Sequence, residues 1–298
     1  MASPFSCKLP VTMHRSPYPT IDPSRPELSQ HGRAALVTGS SSGIGFAIAR
    51  NLAHAKAAVV ILTGRQAESL ADAVKRLELQ YPATRFIGKK MDIANSAHVD
   101  KLWDELHAGG VVVDVLVLNA ARVQRTGPTM LELGHEEVFE DFVTNVKGSM
   151  HFAERFYKQP LRQKARKLNL VHVSTMAIHE PDVSVARPNY PASKSAATMV
   201  LQQIARDVSP TDMQILSFHP GAIFTGAAEK AGYTRESLNW DDEDLPGSYA
   251  VWAASDEAAF LHGRFTWAAW DVDELQSGEL RKRIDSDPAF LKVGVAGL

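Results

Sequence analysis

Short apolar runs without a polar face alternate along this chain with longer stretches in which apolar residues recur every three or four positions. Residues 34–37 and 57–62 are of the first kind, the latter apolar on both faces as a strand buried in a parallel sheet should be, and 85–90, 111–118, 168–173, 213–218 and 263–270 read as further strands. Between them, Ile44, Ala47, Ile48 and Leu52 mark one helix face, and Leu70, Val74, Leu77 and Tyr81 mark another that Pro82 stops. Further helices are expected over 96–106, over 136–161 with an interruption near Gly148, over 190–208 and over 255–261. Strand and helix therefore take turns, which predicts an α/β fold: a single doubly wound parallel sheet with helices on both faces, its ligands bound beyond the carboxyl ends of the strands. Thr38, Arg65, Asp92, Asn119, Ser174 and Pro220 fall at such ends. Residues 222–247 carry no clear strand and read as a mobile flap.

Composition narrows the class. The 298 residues carry a formal net charge of −2 with 22% charged side chains, so no basic face announces a nucleic acid. The longest apolar run is broken by Asp114, which speaks against a membrane span. Cys7 is the single cysteine and cannot form an internal disulfide, as expected of a cytoplasmic protein without a cysteine metal site. Residues 1–31 include six prolines and no unbroken apolar stretch, so they read as an extended or disordered arm before one domain over 32–298. His135-Glu136-Glu137-Val138-Phe139 does not reproduce a zinc-binding H-E-x-x-H, and no metal is expected. A homo-oligomer is compatible with all of this.

The transition from the first strand to the first helix holds Gly39-Ser40-Ser41-Ser42-Gly43-Ile44-Gly45. Glycines let main-chain N–H groups approach a pyrophosphate, and the positive end of the following helix favours its charge. The same letters satisfy the G-x-S-x-G elbow of a serine hydrolase with Ser41 as nucleophile, but that elbow needs an earlier strand for its oxyanion loop, and only a proline-rich tail precedes. Arg65 lies twenty residues beyond Gly45, where a dinucleotide fold meets the adenosine ribose. An arginine there, with no acid from 59 to 67, favours a 2′-phosphate and hence NADP(H); the alternative is a solvated surface arginine. Asp92 could accept from the adenine amino group or simply cap a helix.

Tyr190-Pro-Ala-Ser-Lys194 places a phenol and an ammonium on one helix face. A free phenol titrates near 10, so a neighbouring cation is the direct way to make it useful near neutral pH.

With Thr38-Gly39-x-x-x-Gly43-x-Gly45, Asp92, Asn119-Ala120-Ala121, Asn145, Ser174-Thr175, Tyr190-x-x-x-Lys194 and Pro220-Gly221-x-x-x-Thr225 in this order and spacing, the chain resembles the short-chain dehydrogenase/reductases from Arg33 to about Trp270. Its two ends are similar to a fungal branch linked to secondary metabolism. The resemblance implies a Rossmann fold and a hydride exchange between NADP(H) and a small-molecule carbonyl or alcohol. It makes Tyr190 the proton donor or acceptor, Lys194 the group that binds the nicotinamide ribose and lowers the tyrosine pKa, and Asn145 the residue that orders a relay water. Ile44, Asp92, Asn119, Ile223 and Thr225 would line the cofactor, with Ser41, Ser42, Ile93, Ala120, Pro220 and Gly221 beside them. The chain departs from the family at two points. The usual count of thirteen residues before the tyrosine lands on Ala177, whereas alignment by the strand puts Thr175 on the catalytic serine position and Ser174 before it. Asn119-Ala-Ala replaces the usual Asn-Ala-Gly.

Met176, Ile178, Pro181, Val183, Val185, Phe224 and Trp240 are the positions expected to face the substrate, and they favour a bulky apolar ketone. Alternatives to the carbonyl reductase are the hydrolase, a dinucleotide-binding regulator without turnover, and a reductase of carbon–carbon double bonds.

Overall fold

The computed structural model describes residues 9–123, 127, 129–180 and 188–295. Its strands are β1 (Ala34–Val37), β2 (Val59–Gly64), β3 (Arg85–Lys90), β4 (Val115–Leu118), β5 (Leu168–Val173), β6 (Met213–His219) and β7 (Arg264–Trp267). They form one parallel sheet in the order β3-β2-β1-β4-β5-β6-β7. The helices are α1 (Gly43–His54), α2 (Ala67–Gln80), α3 (Ser96–Ala108), α4 (Met130–Leu133), α5 (His135–Phe142), α6 (Ser149–Tyr157), α7 (Asn189–Asp207), α8 (Gly226–Lys230), α9 (Asp244–Ala253), α10 (Val272–Gln276) and α11 (Gly278–Ser286).

Residues of the central strands alternate between two cores, so these strands are covered on both faces, while the edge strand β3 leaves Arg85 and Lys90 exposed. Ala35 and Val37 pack with Ile48, Leu70 and Tyr249 on one side of the sheet. Leu36 packs with Val99, Phe152 and Leu201 on the other. The strand order reverses between β1 and β4, so their carboxyl ends open the crevice in which a doubly wound sheet binds ligands.

The pattern misjudged several boundaries. β4 begins at Val115 rather than 111, because the Gln159 side chain takes both main-chain groups of Val113, accepting from its N–H at 2.8 Å and donating to its carbonyl at 2.9 Å. The long helix expected over 136–161 is α5, a π-helical segment (Val143–Gly148) and α6. The expected helix over 255–261 is a 3₁₀ helix, Asp256–Leu261. Helix α9 went unrecognised, and it takes 244–247 out of the flap. Every residue after Asp244 in α9 is buried, so no polar face gives a helical period. Gly247 lets α9 lie directly on α1, since a Cβ there would overlap the Asn51 side chain.

Residues 9–31 follow an extended path with two 3₁₀ turns, Pro19–Ile21 and Pro26–Leu28. Ile21 and Leu28 are fully buried in the core, a contribution of roughly 1.5–3 kcal/mol each. Tyr18 donates its hydroxyl to the Trp270 carbonyl at 2.8 Å, and Arg25 pairs with Glu257 at 2.8 Å.

Candidate active site

The loop from β1 to α1 is shaped by glycines at φ +64° (Gly39) and +57° (Gly43). A Cβ on Gly39 would stand 3.0 Å from Ala120 Cα, and one on Gly45 would run into the Gly39 carbonyl. Asn119 locks the turn by donating Nδ2 to the carbonyls of Thr38 and Gly39, both at 2.9 Å. Thr38 Oγ1 in turn accepts from the main-chain N–H groups of Asn119 at 2.9 Å and Ala120 at 3.0 Å. Ser40 is an internal strut, bonded to Val37 and Thr63. Ser42 occupies the cap position of α1 without a side-chain cap bond, which leaves the first N–H groups of the helix for an anion. The loop therefore fits a dinucleotide pyrophosphate. Ser41 is half-buried and, among the described residues, has no histidine or acid hydrogen-bonded to it, so the nucleophile reading has no base.

Around this loop stand the other strand ends. Arg65 is exposed just past β2, and its guanidinium makes no ion pair or hydrogen bond among the described residues. Asp92 accepts from Ala94 N–H at 3.0 Å in a local turn; the cap of α3 is Asn95, which accepts from Ala97 and His98, so the capping alternative for Asp92 does not hold. Ile93 is buried, and its carbonyl comes so close to Gly148 that a Cβ there would overlap it. Gly221 has φ +95° after Pro220, Ile223 is buried and bridged to Asp241, and Thr225 caps α8 through Ala228 N–H at 3.2 Å.

Helix α7 carries Tyr190 and Lys194 one turn apart at its start. Lys194 is fully buried, donates Nζ to the Val173 carbonyl at 2.5 Å and lies 3.2 Å from Nε2 of His172. Burial pulls its pKa down to about 7. His172 is likewise driven well below its ordinary value, by burial first and by Lys194 second. The Ser174 hydroxyl is buried and shares a 2.8 Å bond with Thr198, whose own hydroxyl reaches the Lys194 carbonyl at 2.9 Å. Thr175 Oγ1 accepts from Ala177 N–H at 3.3 Å, leaving its hydroxyl hydrogen for another acceptor.

Asn145 sits in the π-helical segment, buried, and exchanges two bonds with the main chain of Arg122 at 2.8 and 3.0 Å. Its amide also donates to Ser193 Oγ at 2.9 Å, and Ser193 donates to the Tyr190 carbonyl at 2.9 Å. The structure thus ties Asn145 to the turn bearing Tyr190. Asn189 adds a second tie by donating to buried Asp141 at 2.8 Å. Burial pushes Asp141 up to about 6, against the opposing pull of Arg122.

The sequence matches the family model of the short-chain dehydrogenases over residues 33–236. The chain belongs to the short-chain dehydrogenase/reductase family. It is 35% identical over 270 residues to the short chain dehydrogenase/reductase nsrO of Aspergillus novofumigatus, covering 89% of each chain. A short chain dehydrogenase/reductase of Claviceps purpurea is 36% identical over 268 residues, covering 89% of this chain and 86% of that one. Among solved structures, the L-sorbose reductase of Gluconobacter frateurii complexed with NADPH and L-sorbose superposes with a TM-score of 0.72 at 21% identity, over 81% of this chain and 96% of that one. This protein is therefore an oxidoreductase of a family that uses a nicotinamide dinucleotide on small-molecule substrates. No helix among the described residues is long and apolar enough to cross a membrane.

The expected substrate wall changes for this short-chain dehydrogenase/reductase. Met176 is 3% exposed and packs into the main core. Pro181, Val183 and Val185 lie outside the described residues. Phe224 and Trp240 meet edge-on at 5.3 Å, Tyr233 joins Trp240 at 5.9 Å, and the Arg235 guanidinium covers Phe224 at 4.9 Å. His172, Ser193, Asn189 and Asp141 escaped the sequence reading because each acts through a partner distant in sequence. A histidine within the run 168–173, two residues before Ser174, is a local signal for His172.

Proposed function

We propose that this protein is an NADP(H)-dependent reductase that interconverts a bulky apolar ketone or aldehyde and its alcohol, in the cytoplasm and in fungal secondary metabolism. The observation that carries the reading is the tie of Asn145, through Ser193, to the turn of α7 that bears Tyr190, with Lys194 one turn further and Thr175 at the end of β5. The loop from Gly39 to Gly45 would hold the pyrophosphate, Arg65 the 2′-phosphate, and Asp92 and Ile93 the adenine side. Asn119, Ala120, Lys194, Ile223 and Thr225 would line the rest. A bound nicotinamide supplies or accepts the hydride. Tyr190 delivers the proton to the carbonyl oxygen or removes it from the alcohol, and the Thr175 hydroxyl donates a hydrogen bond to that same oxygen. Lys194 keeps positive charge near the phenol and favours its ionised form.

The fungal relatives and the apolar pair Phe224 and Trp240 support a large hydrophobic substrate. The test is NADPH oxidation against a panel of carbonyl compounds ranging from small sugars to polycyclic ketones. Turnover that grows with substrate apolar area is expected. Tight NADPH binding without turnover on any carbonyl would instead mark a dinucleotide-binding regulator.

A further inference from the structure

Residues 13–15 of the arm lie between the end of β7 and the base of the flap. Met13 bridges Trp270, His14 donates its N–H to the Ala269 carbonyl at 2.7 Å, and its Nε2 lies 2.8 Å from Asp271. Towards the flap, the Arg15 carbonyl accepts from Asp242 N–H at 2.7 Å, and the Arg15 guanidinium reaches Asp241 Oδ1 at 3.1 Å.

Asp241 is held from the other direction by the turn after β6. Its Oδ2 accepts from Ala222 N–H at 2.8 Å, while its own N–H donates to the Ala222 carbonyl at 2.8 Å. Gly221 leaves the space this requires, because a Cβ there would stand 2.7 Å from Oδ2. The carboxylate is only 13% exposed, and a charge so far from water depends on its partners. The stretch from 224 to 240 is meanwhile closed on itself by Phe224, Tyr233 and Trp240, with Trp240 Nε1 donating to the Thr234 carbonyl at 3.0 Å. A loop packed internally and joined at its neck moves, if it moves, about that neck. Arg15 and Asp241 both lie outside the 33–236 segment that matches the family model.

We propose that the Arg15–Asp241 pair is a latch fixing the neck of the flap to the Pro220–Gly221 turn, which makes both side chains positioning residues for the flap. The flap's role in substrate binding rests on the reductase reading; the latch itself does not. The arm thus sets the flap's opening equilibrium.

Trypsin digestion of the native full-length protein tests the latch, because Lys230 and Arg235 lie within the flap and are exposed. Asp241→Asn keeps an oxygen for Ala222 N–H and removes the charge that Arg15 meets; Arg15→Met removes the other half. Each variant is expected to raise the cleavage rate at Lys230 and Arg235 by about 3–10-fold, with cleavage elsewhere unchanged. The double variant should be no faster than either single one, and Arg15→Lys, which keeps the charge, should restore the wild-type rate. In turnover with a ketone and NADPH, KM for the ketone should rise with kcat retained. Unchanged flap cleavage in both single variants overturns the latch. So does a lower Tm with faster cleavage at all sites, because the pair would then be a general stabiliser. Digestion needs no turnover, so absence of carbonyl reduction would count against the reductase reading and leave the latch standing.

Discussion

Lys194 donates Nζ to the Val173 carbonyl at 2.5 Å from a fully buried position, with His172 Nε2 as its second neighbour at 3.2 Å. Among the described residues no acidic side chain hydrogen-bonds to it, and burial lowers its pKa from 10.5 to about 7. Below the folded value both the folded and the unfolded lysine are charged, and the cost of burying the charge is full. Between the two values the unfolded state binds more protons, so stability rises with pH across that window. Lys194→Met should therefore raise Tm most near about pH 6 and least near about pH 10. Parallel Tm curves for the two proteins across this range would show that the lysine is not charged at a cost in the folded state.

Arg65 is exposed and has no partner among the described residues. A charge-assisted contact with a 2′-phosphate contributes about 1.5–3 kcal/mol, so Arg65→Ala should weaken NADPH binding by roughly 10–100-fold and leave NADH nearly unchanged. Fluorescence titration with both cofactors checks this. Equal losses for the two would remove Arg65 from the 2′-phosphate.

The paired hydroxyls at the end of β5 have different surroundings. Ser174 is spent on Thr198, whereas Thr175, among the described residues, accepts one long bond from Ala177 N–H. Thr175→Val should reduce kcat by at least ~10-fold, while Ser174→Ala should cost about 1 kcal/mol of stability with kcat within a few-fold of wild type. The reverse order of kcat values would move the catalytic hydroxyl to Ser174.

Trp240 holds both Phe224 and Tyr233, so its removal loosens the flap as well as deleting apolar surface. Trp240→Ala should raise KM for large ketones more than for small ones with kcat little changed, which flattens the increase of kcat/KM with substrate apolar area. A uniform fall in kcat would place Trp240 elsewhere in the reaction.

Local signals made the sheet readable: runs such as 59–62 are apolar on both faces, and Gly39, Gly43 and Gly45 stand where the chain must turn and approach closely. Helix α9 was hidden because burial on every side erases amphipathic periodicity. That Met176 packs into the core is not legible in the sequence, because an apolar residue after a strand end can face a ligand or the core. Asp241 looked like part of a solvated acidic run; its partners, Arg15 and Ala222, are brought to it by the fold. That Tyr190 and Lys194 share one helix follows from their spacing, whereas the contacts of His172 and Asn189 form only once β5, α5 and α7 are assembled.

The central claim is that Tyr190 transfers the proton in an NADPH-dependent carbonyl reduction. Its most direct test is single-turnover NADPH oxidation by the wild-type protein and Tyr190→Phe with a bulky aromatic ketone at saturating cofactor. The account predicts measurable reduction by the wild type and a loss of at least ~10²-fold in the variant, with NADPH affinity unchanged. Equal rates in the two proteins, or no reduction of any carbonyl by the wild type despite bound NADPH, would contradict it.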